Sequence, residues 1–307
     1  CMKTLNFRLK LFTFNGVYHV ALCFVALLTM FFVPQKASAF TQDPLSLPES
    51  LQNHASVTVD LPGPNERIYA IGGFNAQNQA SNKIYSIKVN SNSTLDSVGG
   101  WRTETNLPTP LAFPGVTLID PGSTSDKHLY IIGGEGGNGA GLNPSNGVWK
   151  ATLDKSTGVV SSFSQLNSSV QKLDSQGVPL QGQYEPITLP KNLYGHQVVS
   201  ATVGGTTYIY IIGGDMPSGH TTIYRATLDL DFNLNPNPQG LPANSSQLTA
   251  SSAFTILNTQ FPIPLIHHQA SVVRSLGVGD PAILVTGGLI TTGVSDKIYT
   301  SKINSDG

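Results

Sequence analysis

Charge is scarce in this chain. Only 11% of its 307 residues are Asp, Glu, Lys or Arg, less than half the share of an ordinary soluble domain. Coiled coils and disordered tails need more charge than this, so both are excluded. Its 17 cations stand against 18 anions and form no basic block. That excludes a nucleic-acid surface, which needs clustered cations to displace phosphate counterions. Cysteine is confined to Cys1 and Cys23. Beyond residue 39 no long stretch repeats its apolar positions every 3.6 residues, so amphipathic helices have no place. What the chain holds in quantity is Gly (31) and Pro (20), the residues of turns.

Residues 1–39 read as an export signal. Lys3, Arg8 and Lys10 follow Met2, an apolar run extends from Val17 to Val33, and Ala37-Ser38-Ala39 forms a small-residue cleavage site. The same run is long enough to stay as an uncleaved anchor, but the adjacent Ala-x-Ala site favours cleavage before Phe40. Cleavage removes both cysteines and four cations, leaving 13 cations against 18 anions, net −5. The mature chain is then expected outside the cytoplasm, either secreted or held in the periplasm or at the cell surface. Without a thiol it can form neither a disulfide nor a thiolate metal site.

The remaining chain repeats itself. A Gly-Gly pair follows an apolar run four times: Ile68–Ile71 before Gly72-Gly73, Leu129–Ile132 before Gly133-Gly134, Ile209–Ile212 before Gly213-Gly214, and Ile283–Thr286 before Gly287-Gly288. A Leu-Pro or Phe-Pro precedes each pair by 25, 26, 24 and 26 residues: Leu47-Pro48, Leu107-Pro108, Leu189-Pro190 and Phe261-Pro262. An aromatic follows in a short strand (Tyr85, Trp149, Tyr224, Tyr299), and a second one, Trp101 or Phe163, precedes the next unit. Each unit reads as four short strands. The continuous apolar run suits a strand buried on both faces, Gly-Gly allows the sharp turn that ends it, and the aromatic fills a wedge between neighbouring sheets. The fold class is all-β, with blades at about 47–106, 107–188, 189–260 and 261–307. Polar stretches near 164–188 and 233–252 read as loop insertions.

Over residues 47–307 this pattern resembles the kelch family of β-propellers, including the central domain of galactose-oxidase-like proteins. Two departures stand out: Pro114 replaces the recurring histidine in the second unit, and Thr286 interrupts the apolar run of the fourth. Kelch propellers carry more blades than four, and the fourth unit here lacks its outer strand. The resemblance therefore implies a segment of a longer propeller. The alternative is a closed four-bladed ring in which residues 40–46 supply the missing strand.

Candidate site residues follow from the register. A histidine stands seven residues after the start of three units: His54, His196 and His268. At the head of the innermost strand these could form a ring of imidazoles, or an element of the scaffold that packs alike in every blade. In kelch propellers the loop after Gly-Gly opens on the same face, which adds Asn75, Glu135 and Asp215. Tyr194 and Phe113 contribute aromatic surface. Amides, carboxylates and rings around one funnel suit a glycan or a peptide, and the net acidic chain favours a neutral or cationic ligand. No cofactor and no metal are expected. The copper-radical chemistry of galactose oxidases needs a Cys bonded to a Tyr, which the mature chain lacks, and no other enzyme motif is present. The resemblance thus implies an exported module that binds glycan or protein. The alternative is a carbohydrate-active enzyme of the epimerase or mutarotase type on the same scaffold, with Glu135 and Asp215, together with a histidine, as the candidates for its acid/base pair.

Overall fold

The computed structural model describes residues 43–307, except 64, 123, 138–142, 215–220, 243–244 and 275–279. The export signal expected at 1–39 lies outside the described residues, as does Asp215. Leu45–Gly307 form one compact unit, described here by itself.

The unit is all-β, with four antiparallel sheets arranged as the blades of a four-bladed propeller. The first blade contains β1 (Ala55–Val59), β2 (Arg67–Ile71), β3 (Ile84–Lys88) and β4 (Arg102–Thr103). The second contains β5 (Gly115–Ile119), β6 (Lys127–Ile132) and β7 (Ser145–Leu153), a hairpin of β8 (Asn167–Leu173) and β9 (Pro179–Pro186), and β10 (Thr188–Leu193). The third holds β11 (Gln197–Val203), β12 (Thr206–Ile212), β13 (Ile223–Thr227) and β14 (Phe254–Ile256). The fourth holds β15 (Gln269–Val273), β16 (Ala282–Thr286), the short pair β17 (Leu289–Ile290) and β18 (Gly293–Val294), and β19 (Ile298–Lys302). Among the described residues its main sheet has three strands, β15-β16-β19.

The insertion at 164–188 is not a loop. It contains the β8–β9 hairpin, closed by a turn in which the Asp174 carboxylate accepts from the amides of Gln176 and Val178, with Gly177 at φ 80°. Most of the hairpin is exposed or half-buried, and its polar composition hides the strand pattern. The other insertion, 233–252, contains no strand among its described residues.

Blades pack face to face. The core between the first and second blades includes Val59, Tyr69, Ile71, Leu129, Ile131 and Trp149. Between the second and third lie Tyr130, Ile132, Ile209, Ile211, Tyr224 and Phe254. Between the third and fourth lie Tyr210, Ile212, Phe261, Ile283 and Val285, with Tyr299 packed against them. Trp149, Tyr224 and Tyr299 thus fill the wedges expected of the third-strand aromatics.

A tyrosine staple recurs at each of these contacts. The hydroxyl of Tyr69 donates to the Gly158 carbonyl at 2.6 Å, that of Tyr130 to Phe232 at 2.6 Å, and that of Tyr210 to Gly307 at 3.0 Å. Each acceptor belongs to the following blade, so the tyrosine buries its ring while keeping its polar end bonded. Burial pushes the Tyr69 and Tyr130 phenols far up, and raises Tyr210 to about 12. Leu284 stands at this position in the fourth blade.

The Gly-Gly pairs are where blades interlock. Gly133 has φ 60°, and a Cβ there would lie 2.7 Å from both the Leu193 carbonyl oxygen and Cε1 of His196. Gly213 stands in the same relation to Leu265 and His268. The second glycine of each pair donates to a carbonyl four residues before the innermost strand of the next blade: Gly73 to Leu111, Gly134 to Leu193 and Gly214 to Leu265. Only glycine permits both the backbone angle and the close approach.

Candidate functional site

The mouth of the propeller is built from one repeated position. Six residues after each start motif stand Asn53, Phe113, Gly195 and His267. All four have left-handed backbone, with φ of 56°, 48°, 65° and 53°. Three of them carry side chains, a conformation that costs on the order of 1–2 kcal/mol each. Neighbouring blades help to hold it, because the Phe113 amide donates to the Asn53 carbonyl at 2.8 Å and the His267 amide to Gly195 at 2.7 Å. Such strain persists where the surroundings over-determine it, and it concentrates at functional sites.

The left-handed turn projects side chains over the axis. The Phe113 and His267 rings stack with centroids 4.4 Å apart and planes at 3°. Tyr194 packs beside both, at 6.1 Å and 6.3 Å, and Phe74 meets Phe113 edge-on at 6.1 Å. Beside this aromatic plug lies a cavity of about 290 Å³. Its lining includes Asn53, His54, Ser56, Gln197 and Gln269, together with the Phe113 and His267 rings. Asn53, His54, Ser56 and Gln269 are exposed. Among the described residues, no Asp, Glu, Lys or Arg belongs to the lining, and those that line it present neutral hydrogen-bonding groups around an aromatic face.

The three recurring histidines meet at this cavity but differ in kind. His196 is buried, its Nε2 3.0 Å from the carbonyl of Ile132 in the preceding blade. Burial draws its pKa down to about 4, partly offset by that carbonyl. His268 is buried next to Ile212 of its own preceding blade and is likewise drawn down to about 4, first by burial and then by His267. Nδ1 of His196 and both ring nitrogens of His268 are sealed from solvent without a hydrogen-bond partner. His196 therefore links its blade to the preceding one through Ile132, and burial favours the neutral form of both imidazoles. His54 belongs to the first blade and is exposed at the mouth.

The loops after Gly-Gly do lie against the starts of the inner strands. Phe74 exchanges backbone hydrogen bonds with Gln52, Glu135 with Ala112, and Leu289 with Ile266. Of the carboxylate-and-ring funnel expected from them, Asp215 lies outside the described residues. Glu135 and Tyr194 are buried and do not line the cavity. Burial raises the Glu135 pKa above the usual carboxylate value. Asn75 also lies outside the lining, and its side-chain oxygen caps its own turn by accepting from the amides of Gln77 and Gln79. The residues that sequence reasoning passed over are Asn53, Gln197, His267 and Gln269. A signal for them existed: Asn and Gly at the sixth position point to a left-handed turn, and Gln follows the histidine in both the third and the fourth unit. Among the described residues no group of three or more His, Cys, Asp or Glu is placed to hold a metal ion.

The sequence matches no family model and no curated protein. Among solved structures, the fold is similar to a chain of a cryo-EM structure of RAG in complex with one melted and one unmelted RSS. That match has TM-score 0.44 and 14% identity, and covers 85% of this chain and 70% of the other. It is also similar to the structure of YjhT, with TM-score 0.47 and 12% identity over 86% and 72% of the two chains.

Proposed function

We propose that this protein is an exported binding module whose axial mouth takes a neutral saccharide. The observation that carries this reading is the described cavity lining: amide, hydroxyl and imidazole groups beside a stacked aromatic pair, with no formal charge among the described lining residues. Amides orient hydroxyl groups through paired hydrogen bonds, and an aromatic face accepts the apolar side of a sugar ring. The volume is at the small end of ligand cavities, enough for one sugar unit of a longer glycan. Binding is favoured over turnover because Glu135, the described carboxylate of the expected acid/base pair, lies outside the lining.

The test is a glycan-binding screen followed by titration calorimetry. Neutral glycans should bind in preference to sulfated or sialylated ones. Gln197→Ala and Gln269→Ala should each weaken binding about five- to tenfold, the worth of one or two neutral hydrogen bonds, while leaving the melting temperature in place. Binding unchanged in both variants, or a preference for anionic glycans, would remove the site from this mouth. Turnover is checked by following sugar anomerisation with wild type and Glu135→Gln; a rate that falls in the variant would favour the enzyme reading instead.

A further inference from the structure

An exported chain can carry covalent sugar as well as bind it. The sequence holds three Asn-x-Ser/Thr triplets, Asn92-Ser93-Thr94, Asn167-Ser168-Ser169 and Asn244-Ser245-Ser246, the acceptor motif of N-linked glycosylation. Asn244 lies outside the described residues. The other two stand in different local structures. Asn167 belongs to β8, where it pairs with Pro186. Ser168 is buried, its hydroxyl oxygen accepting from the Val170 amide, and Ser169, the hydroxyl member of the triplet, is half-buried.

Asn92, Ser93 and Thr94 are all exposed, in a turn after β3 that is closed by the bridge between Val89 and Leu95. The side-chain oxygen of Asn92 accepts twice from Thr94, from its amide at 3.2 Å and from its hydroxyl at 2.8 Å. Asn90 fixes the direction of the second bond. Its Nδ2 donates to the Leu95 carbonyl and to Oγ1 of Thr94, both at 3.2 Å. A carbonyl can only accept, so the Asn90 amide is oriented with its nitrogen toward Thr94, and the Thr94 hydroxyl keeps its proton for Asn92. An amide nitrogen is a weak nucleophile, because its lone pair is shared with the carbonyl. Two donors on Oδ1 favour the form with negative charge on that oxygen, which eases loss of an Nδ2 proton. These bonds span at most five residues, so the turn forms without the rest of the propeller.

We propose that Asn92 is an acceptor for an N-linked glycan, delivered from an oligosaccharide carried on a lipid diphosphate and preferred over Asn167. Nδ2 of Asn92 forms the bond to the anomeric carbon of the sugar. The bond from that carbon to the diphosphate oxygen breaks, the lipid diphosphate leaves with the electron pair, and one Nδ2 proton is released to the medium. The proposal rests on the export reading, which takes the chain to a compartment where such donors are used, and not on the saccharide site. The glycan also leaves that site open. Ile84 of β3 pairs with Ile71, beside Gly72-Gly73 at the mouth, whereas Lys88 pairs with Arg67 at the other end. The turn that follows Lys88 therefore lies on the face opposite the mouth.

The first test needs no export. The 307-residue chain, made in a cell-free system, is incubated with a solubilised oligosaccharyl transferase and a lipid-diphosphate oligosaccharide. The attached sugar is then removed enzymatically in heavy-oxygen water, which turns each glycosylated asparagine into a mass-labelled aspartate for peptide mapping. Asn92 should be labelled, and more fully than Asn167. Thr94→Ser, which keeps the hydroxyl, should retain the label; Thr94→Val, which keeps the shape, and Asn92→Gln should lose it. A bare Asn92, a label that survives Thr94→Val, or heavier labelling at Asn167 overturns the proposal. Expression in a eukaryotic secretory host separates it from the export reading. Cleavage before Phe40 with Asn92 labelled upholds both. A cleaved, secreted chain with bare Asn92 overturns the acceptor alone. A chain retained uncleaved and bare in cells, yet labelled in the cell-free test, upholds the acceptor and overturns export.

Discussion

Mild acid should loosen this propeller through two imidazoles. His196 and His268 are closed from solvent, and burial lowers each from 6.5 to about 4. A group with its folded pKa below its unfolded value takes up a proton more readily in the unfolded chain. Its stabilising contribution is therefore complete above pH 6.5 and is lost as the pH falls from there toward 4. At about pH 4.5 each histidine should have forfeited about 2–3 kcal/mol, from 1.36 kcal/mol per pKa unit. Two such losses approach the whole stability of a marginal domain, on the order of 5–15 kcal/mol.

Urea unfolding followed by the fluorescence of Trp101 and Trp149, repeated at intervals from pH 7 down to 4.5, measures this directly. His196→Gln separates the imidazole from titrating carboxylates. Glutamine stays neutral throughout, and its amide can still donate to the Ile132 carbonyl. The variant should start less stable at pH 7, because it fits the pocket less well, and then lose only about half as much stability on acidification. His54→Gln, at an exposed position, should leave the slope unchanged. Equal slopes for wild type, His196→Gln and His268→Gln would refute the reasoning and assign the acid response to other groups.

Two further substitutions test the blade contacts. Tyr130→Phe removes the hydroxyl bonded to Phe232 and should cost about 1–2 kcal/mol by urea unfolding; a variant as stable as wild type would show that the staple contributes nothing. Gly133→Ala and Gly287→Ala impose the same left-handed strain, but a Cβ at Gly133 meets the next blade at 2.7 Å whereas at Gly287 the nearest atom is 3.9 Å away. The first should cost at least ~2 kcal/mol more than the second, since close-packed interiors yield little; equal losses would mean that backbone angle alone demands glycine.

The fold was legible because the repeat states each rule several times. Apolar runs, Gly-Gly pairs and third-strand aromatics recur at nearly fixed spacing, and each apolar run forms the second strand of one of the four sheets. The β8–β9 hairpin was illegible for the converse reason: it occurs once, and being mostly exposed or half-buried it shows no apolar alternation. The site was only half legible. Register identified the level of the mouth, so His54, His196 and His268 were found together there. Register could not say which of them faces outward, because that depends on whether a preceding blade supplies a carbonyl. Ile132 does so for His196, Ile212 lies against His268, and His54, in the first blade, is left exposed.

The same logic shows where function can reside in a repeat scaffold. A side chain that recurs in register and meets the same neighbour each time, such as Tyr69, Tyr130 and Tyr210, is occupied with holding blades together. Side chains at a recurring backbone position whose chemistry differs from blade to blade are free of that duty. Asn53, Phe113, Gly195 and His267 share one left-handed conformation but present an amide, a phenyl ring, a bare backbone and an imidazole. The fourth blade departs in the same manner at its outer face, with Leu284 where the others carry tyrosine and Thr286 where they carry isoleucine. Scaffold chemistry is therefore uniform across the inner contacts. The place where it gives way, the axial mouth, is where the proposed saccharide can be accommodated without breaking a contact the propeller needs.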